Sequence, residues 1–200
     1  DNPSAWYEQD YYAWLNTTAG DFNVGVGINT YTYPAAVTVG FNAVVELAAT
    51  VGYDDSDALG DWAFSPYATI AVEVNNTNSN SVSGDEGTYL ELGGAFDLPT
   101  EGTAIEAWDW SVPFAIGLSL DDYYNDASGA EEFFGFASVG LAGSIPMSEL
   151  IGSDEYLGAW DLTVGFTVLF LNSDVALTDN TNDSSDNMQF VGSVGISRSW

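Results

Sequence analysis

Six carboxylates share one property of position. Glu46, Glu73, Glu91, Asp97, Asp109 and Asp161 each fall between large apolar residues, in stretches where large and small side chains alternate. A strand sends successive side chains to opposite faces, so these acids occupy the face turned away from the bulky residues. Their neighbours on that face are mostly Gly, Ala, Ser, Thr and Asn. The chain has 30 acidic residues and one basic residue, Arg198, for a formal net charge of −29. No Lys or Arg is at hand to pair with the six acids, and a buried unpaired carboxylate is costly and tends to protonate. Water or cations must therefore reach them. Acidic rings at the mouths of a narrow passage favour cations. The plainer alternative is that the acids only solvate the rims of a closed structural sheet.

Composition excludes other chemistry. There is no His and no Cys, so imidazole catalysis, His-ligated metals, thiolate sites and disulfides are out. No serine has a base beside it for nucleophilic catalysis. Asp121–Asp122 and Glu131–Glu132 are pairs of the kind that do carboxylate chemistry, but acid runs in loops are far more often solvated faces. The expectation is a protein that is not an enzyme. With one basic residue it has no phosphate-binding surface, which excludes nucleic acid as a partner. No cofactor is expected. Calcium in Asp54–Asp57 or Asp179–Asp186 is the residual option, although neither stretch has the spaced Asp-x-Asp-x-Asp-Gly form with a distal Glu.

The elements that must position these acids are strands. Eight segments alternate: about 21–31, 36–51, 62–74, 88–98, 107–120, 134–146, 160–172 and 188–200. Trp108, Trp110, Val112, Phe114, Ile116, Leu118 and Leu120 show the pattern at its cleanest. Val37, Val39, Phe41, Val45 and Leu47 continue it on the second segment, and Leu162, Val164, Phe166 and Val168 on the seventh. The sixth is irregular: Phe134 and Phe136 fall on the parity opposite to Val139, Leu141 and Ile145, which a β-bulge would reconcile. Asn75–Gly87 and Ser173–Asn187 are rich in Asn, Ser and Asp and read as solvated loops. Residues 1–20 carry Trp6, Tyr7, Tyr11, Tyr12 and Trp14 and read as an aromatic segment docked on or in the sheet, with a ninth strand as the alternative. The division expected is 1–20 and 21–200. No stretch approaches the roughly 18–20 apolar residues of a membrane helix, so any spanning is by strands. A start at Asp1 rather than Met reads as a processed, exported product or a trimmed segment.

Alternating strand directions bring Trp62, Trp108, Trp110, Trp160 and Trp200 to one rim, all on the bulky parity. Indoles favour the boundary between hydrocarbon and headgroups, whereas a soluble core has no reason to level them. In the same scheme Glu73 and Glu91 lie toward the loop-rich end, and Glu46, Asp97, Asp109 and Asp161 toward the Trp end. Arg198 alone puts a charge on the bulky face, next to the terminus. The small residues opposite, such as Gly25, Gly27, Gly165 and Gly195, suit a lumen just wide enough for side chains. The fold expected is all-β: a closed, antiparallel, up-and-down transmembrane β-barrel of about eight strands.

At this point the chain resembles bacterial outer-membrane β-barrel proteins of the small porin-like kind. Residues 193–200, Ser-Val-Gly-Ile-Ser-Arg-Ser-Trp, look like the C-terminal assembly signal of that class, with Ser193, Gly195 and Trp200 matching and Arg198 departing where an apolar residue is the rule. The resemblance implies a place in the bacterial outer membrane and insertion by the barrel-assembly machinery. The lipid bilayer and cations are then the partners, and a homo-oligomer is compatible. The near absence of basic residues argues against direct binding of lipopolysaccharide phosphates without bridging divalent ions. Two other readings fit the pattern: a soluble extracellular β-sandwich or barrel that assembles into a surface layer or filament, and a soluble carrier with a greasy cavity.

Overall fold

A computed structural model describes residues 9–32, 43–74, 86–126, 128–151, 160–176 and 187–198. Nine strands follow one another: β1 (Gln9–Ala19), β2 (Phe22–Thr32), β3 (Ala43–Tyr53), β4 (Tyr67–Glu73), β5 (Thr88–Leu98), β6 (Asp109–Asp121), β7 (Phe134–Pro146), β8 (Trp160–Leu171) and β9 (Met188–Arg198). They make one sheet in chain order, every neighbouring pair antiparallel. This is the up-and-down order expected from the alternation.

Two features differ from expectation. The strands number nine, because residues 9–19 pair along their whole length with β2, from Gln9↔Thr32 to Ala19↔Phe22. The turn between them is two residues long, with Gly20 at φ 62°, a conformation that glycine adopts without strain. The sheet is also open rather than closed: among the described residues β1 and β9 are edges that do not pair with each other. It is curled nonetheless. Tyr123, just past β6, donates its hydroxyl to Glu46 of β3 at 2.7 Å, across the width of β4 and β5.

The faces sort as the parity requires. Val26 and Leu47 are each 53% exposed, and Phe166 is 50% exposed, whereas Glu46 and Glu73 on the opposite face are 2% exposed. The bulky face is therefore the convex outside of the curl, and the small and acidic residues line the concave side. Among the described residues the buried apolar side chains are Val44, Ala48, Ala71 and Ile145, too few and too small to make a dry core. Cross-strand contacts on the outer face, such as Ile28↔Leu47↔Val72 and Val164↔Val194, supply the sheet's side-chain stabilisation, roughly 0.2–1 kcal/mol per pair.

The irregular sixth segment of the sequence is β7, and the expected bulge is there. Leu118 pairs with Phe134 and Gly117 with Phe136, so Gly135 is an extra residue on β7. Phe134 joins the outer face, and Phe136 turns inward over Gly117. Pro113 lacks an N–H, and the β6–β7 ladder is interrupted between Ser111↔Ala142 and Phe114↔Val139 without a change of register. The third expected strand begins later than the alternation suggests. Residues 54–66 form a connection with helical turns at Ser56–Leu59 and Gly60–Trp62. Val37, Val39 and Phe41 lie outside the described residues.

Candidate functional site

The concave face holds a cavity of about 670 Å³ toward the loop-rich end, lined among others by Trp14, Tyr31, Glu46, Tyr67, Glu91 and Tyr124. The sheet places these side chains by parity and makes room for them with glycine. The indole of Trp14 lies on Gly27, where an added Cβ would sit 2.4 Å from Cδ2, and the Tyr67 ring lies on Gly93. Phe136 covers Gly117, and Tyr124 covers Gly135. Gly27, Gly93, Gly117 and Gly135 of the inner face are thus seats for aromatic rings.

Both inner glutamates of this cavity are held by phenols. Tyr123 donates to Glu46 Oε1 at 2.7 Å, and Tyr31 and Asn29 Nδ2 donate to Oε2 at 3.3 and 3.4 Å. Tyr67 donates to Glu91 Oε1 at 2.7 Å, and Tyr89 donates to Oε2. Hydrogen bonds to an ionised acceptor are stronger than neutral ones, so the phenols stabilise the anionic carboxylates without a basic residue. Burial, and then the charge of Glu46 and its hydrogen bond, hold the Tyr123 phenol well above its usual pKa. Burial and the charges of Glu91 and Glu46 push Tyr124 up as well. Rings close the cluster: Tyr89 and Tyr123 are 5.0 Å apart, and Tyr123 meets Tyr124 edge-on at 4.9 Å.

The remaining acids divide between the two ends. Glu73 is the register partner of Glu46 and accepts the Gly87 N–H at 2.8 Å. Glu46 therefore belongs with Glu73 at the loop-rich end, not at the Trp end where the sequence put it; the described strand starts at Ala43, so Glu46 is near its beginning. Asp97, Asp109 and Asp161 do lie at the Trp end, paired with Ser111, Ser144 and Ser197. Asp97 and Asp109 line a second inner cavity of about 370 Å³ together with Thr163, Thr167 and Ser193. A third, of about 300 Å³, shares Tyr67, Glu91 and Phe136 with the first and Pro113 and Thr167 with the second. The three share lining residues and follow one another along the concave wall from the glutamates to the aspartates.

The tryptophans fall as follows. Trp108 stacks on Trp110 at 5.4 Å before and at the start of β6, and Trp160 opens β8 under the Arg198 guanidinium, 5.4 Å above its ring. Trp62 is at the same end but sits in the β3–β4 connection, highly exposed, rather than on a strand. Phe22 and Tyr53, 5.1 Å apart, add an outward aromatic pair to that end, which the sequence reading did not single out. Of the assembly-signal residues, Ser193 and Gly195 face inward on β9 opposite Gly165 and Thr163, and Trp200 lies outside the described residues.

Of the acids considered for calcium, Asp54 and Asp55 do backbone work. Asp55 is buried and accepts the N–H groups of Phe64 and Ser65, bracing the β3–β4 connection, and Asp54 accepts the Ser56 N–H. Asp179–Asp186 lies outside the described residues. Among the described residues no three acidic side chains converge to hold a metal ion. Glu131 accepts from the Ser119 hydroxyl and the Asp122 N–H, and Glu132 accepts from Asn172, so the loop pairs brace the β6–β7 connection.

Sequence reasoning missed the tyrosines. Tyr31, Tyr67 and Tyr89 share the inward parity of the acids, and that coincidence was the available signal. Tyr123 and Tyr124 come from a loop, where parity gives none. No protein-family model, curated protein or solved structure matches this chain.

Proposed function

We propose that this chain spans a lipid bilayer of the bacterial outer membrane with its strands, convex face to the acyl chains, and that its concave face lines a narrow, cation-preferring aqueous passage. One observation carries the reading. Along the described strands most large apolar side chains, such as Leu15, Val26, Leu47, Ile70, Phe166 and Val194, lie on the face opposite the carboxylates and remain exposed, and Arg198 is the only charged residue of that face. In water that arrangement leaves apolar area uncovered at roughly 25 cal/mol per Å², whereas hydrocarbon satisfies it. Arg198 sits at the rim, where a long side chain can reach headgroups. The succession of inner cavities supports the passage, since it runs from glutamates at one end to aspartates at the other with no basic residue lining it.

A spanning sheet cannot leave its edge N–H and C=O groups in hydrocarbon, so β1 and β9 must find partners on insertion. The open edges favour the second reading, a soluble subunit that joins copies edge to edge in a surface layer or filament. Extraction separates the two. The membrane protein needs detergent, shifts its gel mobility on heating in SDS and gives cation-preferring conductance in planar bilayers. Solubility without detergent, with salt- or calcium-driven polymerisation, would replace it with the filament subunit. Conductance that is absent or anion-preferring ends the passage and leaves a structural wall.

A further inference from the structure

We propose that the cavity between β1 and the β6–β7 connection is a binding site for small organic cations of the alkylammonium class. The inference rests on the cation-preferring reading of the concave face and names which cations it is built for. Three facts combine. First, rings seated on glycine line the cavity, Trp14 on Gly27, Tyr67 on Gly93 and Tyr124 on Gly135. The open face of an aromatic ring carries the negative lobe of its quadrupole and attracts a cation within about 6 Å of the ring centre. Second, Glu46 and Glu91 give the cavity negative charge, and the one basic residue of the sequence, Arg198, is at the opposite end of the sheet on the other face. Third, the carboxylates are already engaged. Each oxygen of both glutamates accepts a hydrogen bond from a tyrosine hydroxyl, so lone pairs a metal ion would need are turned to phenols.

A hard metal ion needs several oxygen ligands at short range, and the described residues converge no three acids to supply them. An alkylammonium ion needs no such ligands. Its charge is spread over methyl or methylene groups, it sheds water readily, and it is held by ring faces and by negative charge at second remove. A cavity of about 670 Å³ has room for a choline-sized guest and its residual water.

The test uses the full chain refolded in detergent micelles and titrated calorimetrically with choline. The same titration is run with its neutral isostere 3,3-dimethylbutan-1-ol and with sodium chloride at equal ionic strength. Choline is expected to bind at least tenfold more tightly than the isostere. Tyr124→Leu removes a ring face and is expected to weaken choline about tenfold, the size of one desolvated cation–π contact. Tyr124→Phe keeps the ring and is expected to bind as the parent does. Glu91→Gln keeps the shape and is expected to narrow the gap between choline and the isostere. Each variant is first checked for heat-modifiable mobility, which shows that it has folded. Equal binding of choline and the isostere, no binding of choline, or equal loss in Tyr124→Phe and Tyr124→Leu overturns the inference. Bilayer conductance separates it from the reading beneath it. Sodium conductance with no choline binding removes the ligand class alone, and choline binding without conductance removes the passage while the site stands.

Discussion

Tyr123 and Glu46 are 77 positions apart in the chain and 2.7 Å apart in space, the phenol donating to the carboxylate across two intervening strands. This contact fastens the β6–β7 connection to β3 and holds the curl. Tyr123→Phe leaves a buried Glu46 short of a donor and is expected to destabilise the fold by about 1–3 kcal/mol, read from the denaturant midpoint in micelles. The phenol also sets a pH limit. Its folded pKa lies above the value of 10.0 it has when free, because burial and the Glu46 charge oppose ionisation. Above pH 10 the unfolded chain sheds this proton while the folded chain keeps it, so the folded state binds more protons and loses stability as pH rises. The contribution is fully present below pH 10. Parent protein should lose stability more steeply than Tyr123→Phe through the alkaline range, and parallel profiles would exclude Tyr123 as the titrating group.

Trp14 on Gly27 is one of the tight seats on the concave wall. A methyl group at position 27 would meet Cδ2, Cε2 and Cγ of the indole at 2.4, 2.6 and 2.8 Å, and Trp14 Nε1 is fixed by its hydrogen bond to Asn29 Oδ1 at 3.2 Å. Gly27→Ala therefore forces the ring off its place, at about 1–3 kcal/mol. Trp14→Ala in the same chain removes the clash, so the double variant should be more stable than the sum of the two single effects. Additive losses in unfolding experiments would show that the ring is not seated there.

Much of this wall is legible from alternation alone. β5 to β9 announce themselves because bulk sits on one parity and small residues on the other, and the Trp end follows from counting strand directions. β1 is legible only as the alternative of a ninth strand, because Tyr11 and Tyr12 are both large and fall on opposite faces, Tyr12 facing the cavity and Leu15 the outside. Where both faces carry bulk, period two disappears from a scan for size. Glu46 was put at the wrong end because the alternation runs on from Val37, whereas the described strand begins at Ala43. The phenol partners of the glutamates needed the third dimension: Tyr31 and Tyr67 reach them from neighbouring strands, and Tyr123 reaches from a loop.

Leu47 tests which solvent the convex face meets. It lies among Ile28 and Val72 in mid-sheet and is 53% exposed. In a bilayer Leu47→Lys puts a charge near the hydrocarbon centre, at about 2–4 kcal/mol, and insertion should fall correspondingly. Thr50→Lys, on the inner face, should insert normally. Insertion is read as the fraction resistant to urea washing and heat-modifiable on gels. A soluble subunit would give the reverse, Leu47→Lys folding as well as the parent and staying in solution better.

The edges make the most direct test of how the sheet is completed. Leu15 on β1 and Val194 on β9 are 79% and 78% exposed, the most exposed large apolar side chains of two strands that, among the described residues, each lack a second neighbour. Nine strands in strict alternation leave β1 and β9 running the same way, so joining them within one chain takes a parallel pair, and no antiparallel pairing between them is available. With cysteines at 15 and 194, the membrane protein should form an oxidised, fast-migrating monomer after insertion into vesicles and none in denaturant. The sequence has no native Cys to confuse the result. A disulfide-linked dimer instead would mean that two copies share the wall. Cross-linking in neither form, with heat-modifiable mobility retained, would show that the edges meet lipid or loops, which the cost of bare backbone in hydrocarbon forbids, and the transmembrane proposal would fall.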